Sequence, residues 1–347
     1  MLVLRGLMAG FVATVALGMA LSGASAQSMD TLYEAAKKEG TVLWYTTFPL
    51  DEATPLAEAF TAKYPGVKVG IVRGSGTRTV ERFETEYRAN RAEADVITGA
   101  LLDPHKQWKK DGWLMEYKAP EGAAIPAGYK DEGYWYLEGV TISCMLFNSN
   151  KLKKSDMPDG PMGLLDSKWK GRVGSIPAWA TGTALEFAYF VDYVLGHKDD
   201  YAKGLKALTP PMQSAQAKLV QQVIRGDIDV ALPIADYNLY RFQKKGAPVD
   251  CVYPKSDKGV PTNARPVAIP KNAPHPNAAK LFLNWRLSED GQTKMQDGFG
   301  MRSVRENMGP PKGLPEASKV GILILNPDEV RAKREEMIQR WQAVFGQ

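Results

Sequence analysis

Thr41-Val42-Leu43-Trp44-Tyr45-Thr46-Thr47 is followed by Pro55 to Tyr64, then by Val67 to Val72, Gly74-Ser75-Gly76-Thr77 and Ala94-Asp95-Val96-Ile97. The β-branched and aromatic run Thr41 to Tyr45 predicts a buried strand. Pro55 to Tyr64 has helical spacing and is stopped by Pro65-Gly66, and Val67 to Val72 predicts a second strand. Thr77 to Asn90 then predicts an amphipathic helix and Ala94 to Ile97 a third strand. Strands and helices alternating at this spacing imply an α/β fold of βαβ units, with mixed, mainly parallel sheets and helices on both faces. Right-handed crossovers bring the strand C-termini and the loops after them to one edge, where a ligand can sit.

Working outward, Leu32 to Glu39 predicts a helix ended by Gly40. A second series starts after Tyr134 to Phe147, where two apolar strand-like runs flank Glu138-Gly139. It continues with a strand over Val173 to Ile176, a long helix over Thr183 to Leu195, a helix over Gln213 to Ile224 and a strand over Val230 to Ile234. Pro254 to Pro266, rich in Pro, Lys, Ser and Gly, reads as a connection between lobes. A strand over Arg265 to Ile269 and a helix over Asn277 to Leu287 follow. Glu329 to Phe345 closes the chain as an amphipathic helix with Trp341 and Phe345 on its apolar side.

The chain has 347 residues, too many for one core to be the default, and its 8 Trp, 14 Tyr and 11 Phe supply apolar area for two. Arg5, the apolar run Leu7 to Leu21 and Ala24-Ser25-Ala26 form a secretory signal peptide, with cleavage expected after Ala26. That run is shorter than the ~20 residues of a spanning helix. The net charge of +5 comes from interspersed residues, without the basic stripe of a nucleic-acid binder. Cys144 and Cys251, exported together, are either a disulfide or two buried thiols, and the sequence leaves both open. Scattered His105, His197 and His275 give no zinc pattern. Enzymatic readings are weak: Gly74-Ser75-Gly76 is not the Gly-x-Ser-x-Gly elbow, no P-loop lysine follows it, and Asp227 and Asp229 read as turn charges.

The order of these segments, with Phe147-Asn148-Ser149, Trp169-Lys170-Gly171-Arg172-Val173-Gly174 and Asn277 to Trp285, resembles the periplasmic solute-binding proteins of ABC importers. It is most similar to the branch that includes receptors for ferric iron, phosphonates, phosphate esters and other small anions. The resemblance covers essentially the whole mature chain. It implies a two-lobed, venus-flytrap periplasmic-binding-protein fold of type II, delivery of a small-molecule ligand to an inner-membrane ABC transporter permease, no cofactor and no catalysis. The boundaries expected are residues 27–137 plus 258–310 for the first lobe, 138–257 for the second, and 311–347 for a C-terminal helical segment packed on the lobes. A monomer in the periplasm is expected.

Exposed backbone N–H groups and the helix dipole make helix starts natural anion cradles, and four segments qualify. Thr46 and Thr47 directly follow the first strand. Ser75, Gly76 and Thr77 open the next helix, as caps or as ligand contacts, and Arg73 precedes them. Trp179, Thr181, Gly182 and Thr183 open the long helix of the second lobe. Asp236 and Tyr237 follow the strand ending at Ile234, and Asp236 is placed to meet a cationic or hydroxylated end of the ligand. In the ferric-iron receptors this last place carries adjacent tyrosines. Tyr237 matches one of them and Asn238 stands where the other would be, with Tyr240 a turn away as a substitute. One phenolate is a poor set for Fe(III), so a small organic anion is the expected ligand and ferric iron the alternative.

Overall fold

The computed structural model describes residues 29–346 apart from 75, 132 and 199. The expected signal peptide lies outside the described residues. A helix α1 over residues 29–39 leads into β1 (Thr41–Thr46), α2 (Leu50–Lys63), β2 (Lys68–Arg73), α3 (Gly76–Arg88), β3 (Val96–Thr98) and α4 (Asp103–Lys110). Short β4 (Lys130–Asp131) precedes the long β5 (Trp135–Asn148) and β6 (Val173–Ser175). Next come α5 (Gly182–Tyr189), α6 (Asp200–Ala207), α7 (Gln216–Arg225), β7 (Val230–Ala235), α8 (Tyr237–Lys244), β8 (Val249–Val252) and β9 (Val260–Ala268). The chain finishes with α9 (Pro276–Leu287), α10 (Glu289–Phe299), α11 (Ala317–Val320), β10 (Ile322–Leu323) and α12 (Pro327–Phe345). Among the described residues no helix is long and apolar enough to cross a membrane.

The strands run in the order β2-β1-β3-β9-β5-β7-β6. β1 pairs parallel with β2 and β3, and β6 parallel with β7, as βαβ units require. The middle makes the sheet mixed, because β9 pairs antiparallel with both β3 and β5, and β5 antiparallel with β7 and β8. Two expectations change here. The runs flanking Glu138-Gly139 are one continuous strand, kinked by a register shift between Leu137 and Gly139. Gly139 is required there, since a Cβ would sit 2.6 Å from Met301 Cγ. The segment Pro254 to Pro266 is a strand from Val260 onward, and Pro266, which has no N–H to donate, lies opposite Leu137 where the register slips.

The core follows these two central strands. One cluster gathers residues between 36 and 140 with residues between 264 and 304, around Trp44, Phe60, Trp108, Phe282 and Trp285. β5 then leaves this cluster for two others, one on each side of the sheet. Met145 and Phe147 face one with Trp169, Phe187, Tyr201 and Trp341, while Cys144 and Leu146 face the other with Leu219, Ile234 and Cys251. The period of two in β5 accounts for this split. Both cysteines are free and buried, and burial raises the Cys144 thiol above its ordinary range. α12 packs on the second lobe through Val330, Met337 and Trp341.

Candidate functional site

A cavity of about 1440 Å3, open solvent included, lies where the two lobes face each other. Thr47, Arg73 and Gly76 reach it from the first lobe, and Trp179, Thr181, Gly182, Thr183 and Tyr237 from the second. Thus eight of the expected residues converge on one space. Ser75 and the side chain of Thr77 lie outside what the structure describes.

Three expectations are corrected. Thr46 is the last residue of β1 and fully buried, with its Oγ1 accepting from the Phe48 N–H at 3.1 Å; alternation along the strand leaves Thr47 to face the cavity. Asp236 is also fully buried and turned away from it. Its carboxylate pairs with Arg302 at 2.7 Å and accepts from the Ile142 N–H at 3.0 Å and the Tyr253 hydroxyl at 3.1 Å. These donors occupy it, and it does not line the cavity. Tyr240 donates to the carbonyl of Asp297 at 2.9 Å and is not among the cavity's walls.

The helix starts behave as their chemistry requires. Thr181 is the N-cap of α5, its hydroxyl accepting from the Ala184 N–H at 3.1 Å. At Gly182 the lobes approach so closely that a Cβ would stand 2.9 Å from Leu101 Cδ2 of the first lobe. α5 is shorter than the sequence suggests, since a π turn over Phe190–Val194 follows it. Gln216 at the start of α7 accepts through Oε1 from the Ala235 N–H and from Asn238 Nδ2, each at 2.8 Å, which fixes the start of α8. Burial, then the nearby Glu52, raises the Tyr237 phenol above its ordinary value.

Among the cavity residues that the sequence did not single out are Arg241, Asn263, Arg265 and Arg334. Arg265, on β9, donates from Nη1 to Thr47 Oγ1 at 3.3 Å, while its Nε is buried and has no hydrogen-bond partner among the described residues. Arg241, on α8, reaches across to the first lobe and pairs with Asp51 at 2.7 Å and Glu52 at 2.9 Å. Burial pushes Glu52 up to about 7 against the pull of Arg241 and Arg265. Among the described residues neither Arg73, Arg265 nor Arg334 has a carboxylate at ion-pair distance, and no Asp, Glu, His or Cys lines the cavity.

Behind this wall, Thr183 donates to Asn263 Oδ1 and Asn263 Nδ2 donates to Glu186. Burial pushes Glu186 up to about 8, with Asn263 and Arg265 acting in the opposite direction. Its value in the folded chain exceeds the ordinary 4.5, so folding favours the protonated acid. The stability this provides is complete below pH 4.5 and is lost as pH rises to about 8. Glu186→Gln is therefore expected to melt with the wild type near pH 5 and above it at pH 9. Equal melting temperatures at pH 9 would contradict a penalised charge.

Residues 49–293 match the family model of the bacterial extracellular solute-binding proteins. A candidate 2-aminoethylphosphonate-binding periplasmic protein of Salmonella typhimurium is 28% identical over 305 residues, covering 83% of this chain and 86% of its own. The crystal structure of iron-bound HitA from Pseudomonas aeruginosa superposes with a TM-score of 0.76 at 23% identity, over 88% of this chain and 99% of the other. AfuA from Actinobacillus pleuropneumoniae, solved with exogenous fructose-6-phosphate bound, gives 0.74 at 22% identity, over 88% and 98%. With the type II two-lobed fold, the cavity between the lobes and a match over most of its length, the chain belongs to the bacterial extracellular solute-binding proteins.

Proposed function

We propose that this protein is the periplasmic receptor of an ABC importer and captures a small organic anion bearing a phosphonate, phosphate or carboxylate group between its lobes. The observation that carries the reading is Arg265: a guanidinium facing the cavity, with its buried Nε unpartnered and no carboxylate at ion-pair distance among the described residues. A buried donor left without a partner is costly, and an anionic acceptor removes that cost. The α5 start at Gly182, the hydroxyl of Thr47 and the guanidinium of Arg73 add donors of the same kind. Ferric iron fits this lining poorly, because Tyr237 is its one phenol and no carboxylate or imidazole accompanies it. Hydroxyls line the cavity, but no Asp, Glu or His stands among its described lining residues to activate one for hydrolysis. The cavity is built from both lobes, so binding favours the closed arrangement through contacts that neither lobe makes alone. Native mass spectrometry of freshly purified mature protein tests the assignment. A retained adduct with the mass of an organic anion is expected, and a retained iron atom would overturn it.

A further inference from the structure

The C-terminal helix has two faces with different tasks. Val330, Met337 and Trp341, at helical spacing, are buried in the second-lobe core. The Glu329 carboxylate accepts from the Tyr189 hydroxyl at 3.1 Å, Arg340 pairs with Asp192 and Glu336 with Lys198, which fixes the helix on that lobe. The other face, Arg331, Arg334 and Ile338, also follows three- and four-residue spacing. Arg334 and Ile338 line the cavity, and Arg331 reaches the first lobe, pairing with Asp103 of α4 at 2.8 Å. β10, just before the helix, is hydrogen-bonded in parallel to the start of β9, the strand that carries Arg265. A segment after both lobes in sequence therefore forms part of the cavity wall and bridges the lobes.

We infer that α12 is a third wall of the ligand site, in which Arg334 contacts the bound anion and the Arg331–Asp103 pair latches that wall against the first lobe. This rests on the anion-receptor reading and deepens it. Arg241 is already committed to Asp51 and Glu52, whereas Arg73, Arg265 and Arg334 have no carboxylate at ion-pair distance among the described residues. Three such guanidiniums favour a doubly charged group, a phosphonate or phosphate monoester, over a single carboxylate. Arg334 is exposed on the helix, so replacing it leaves the core packing of α12 untouched.

Calorimetric titration with 2-aminoethylphosphonate, fructose-6-phosphate and inorganic phosphate tests this on the full mature chain, with Arg334→Gln, Arg334→Lys, Arg331→Gln and Arg265→Gln beside the wild type. For every probe the wild type binds, R334Q is expected to weaken affinity about ten- to hundred-fold, as a lost hydrogen bond to a charged group does. R334K is expected to recover part of this, and R331Q to weaken binding by about two- to five-fold, the scale of an exposed ion pair. Loss of affinity in R265Q with none in R334Q would overturn the third wall and leave the anion receptor standing. A wild type that binds none of the three probes would overturn the third wall as a phosphonate or phosphate contact.

Discussion

Arg265→Gln is expected to abolish high-affinity anion binding while leaving the fold intact. Truncating one partner of a buried charge-assisted contact costs about 2–5 kcal/mol, which is about 30- to 5000-fold in Kd. The loss should fall mainly on the dissociation rate, because steering by Arg73 and Arg334 at the cavity persists. No carboxylate loses a partner within ion-pair distance in the variant, and a buried unpartnered Nε disappears. The variant also loses the Thr47 hydrogen bond and the attraction of Arg265 for Glu52 and Glu186, so stability in the absence of ligand should change little. Parallel calorimetry and denaturant unfolding separate the two effects. A fully folded variant with wild-type affinity would remove Arg265 from the site.

Asp236→Ala should show the converse pattern, with stability failing before any ligand is added. Asp236 and Arg302 are buried together, and the removal of one partner from such a pair costs about 3–5 kcal/mol because the remaining charge stays uncompensated. The Ile142 N–H and the Tyr253 hydroxyl lose their acceptor in the same step. These donors stand on β5 and just beyond β8, while Arg302 continues to donate to the Pro315 carbonyl at 2.7 Å. The expected result is a large drop in the urea midpoint of ligand-free protein. Asp236→Ala with wild-type stability and lost affinity would return this carboxylate to the cleft.

These two residues mark where the sequence was and was not legible. The first βαβ units could be read because their signals are local: β-branched runs for β1 and β2, and Pro65-Gly66 between α2 and β2. Thr181 was legible as a cap or a ligand contact because a hydroxyl before an apolar helix has few other roles. Arg265 was hidden because Pro261 and Pro266 make the first half of β9 look like a connection and leave Arg265 as the first residue of a short expected strand, and only antiparallel pairing to β5 and β3 reveals a long central one. Asp236 occupies a place after a strand where ligand contacts are expected, but its partner is Arg302, 66 residues later. No local pattern encodes that pairing. Arg334 was hidden for a third reason: on a charged helix face every arginine looks solvated until the tertiary fold turns that face toward the cavity.

The receptor reading makes its sharpest distinction between an organic anion and a metal ion, and ligand-dependent melting of the wild-type mature chain separates them directly. The panel is 2-aminoethylphosphonate, fructose-6-phosphate, inorganic phosphate, citrate and a ferric salt, each at rising concentration. A ligand present at 100 times its dissociation constant stabilises the folded chain by about 2.7 kcal/mol, which shows as a rise of several degrees. The account predicts such a rise with at least one phosphonate or phosphate and none with ferric iron alone. A rise with the ferric salt and with none of the organic anions would contradict it.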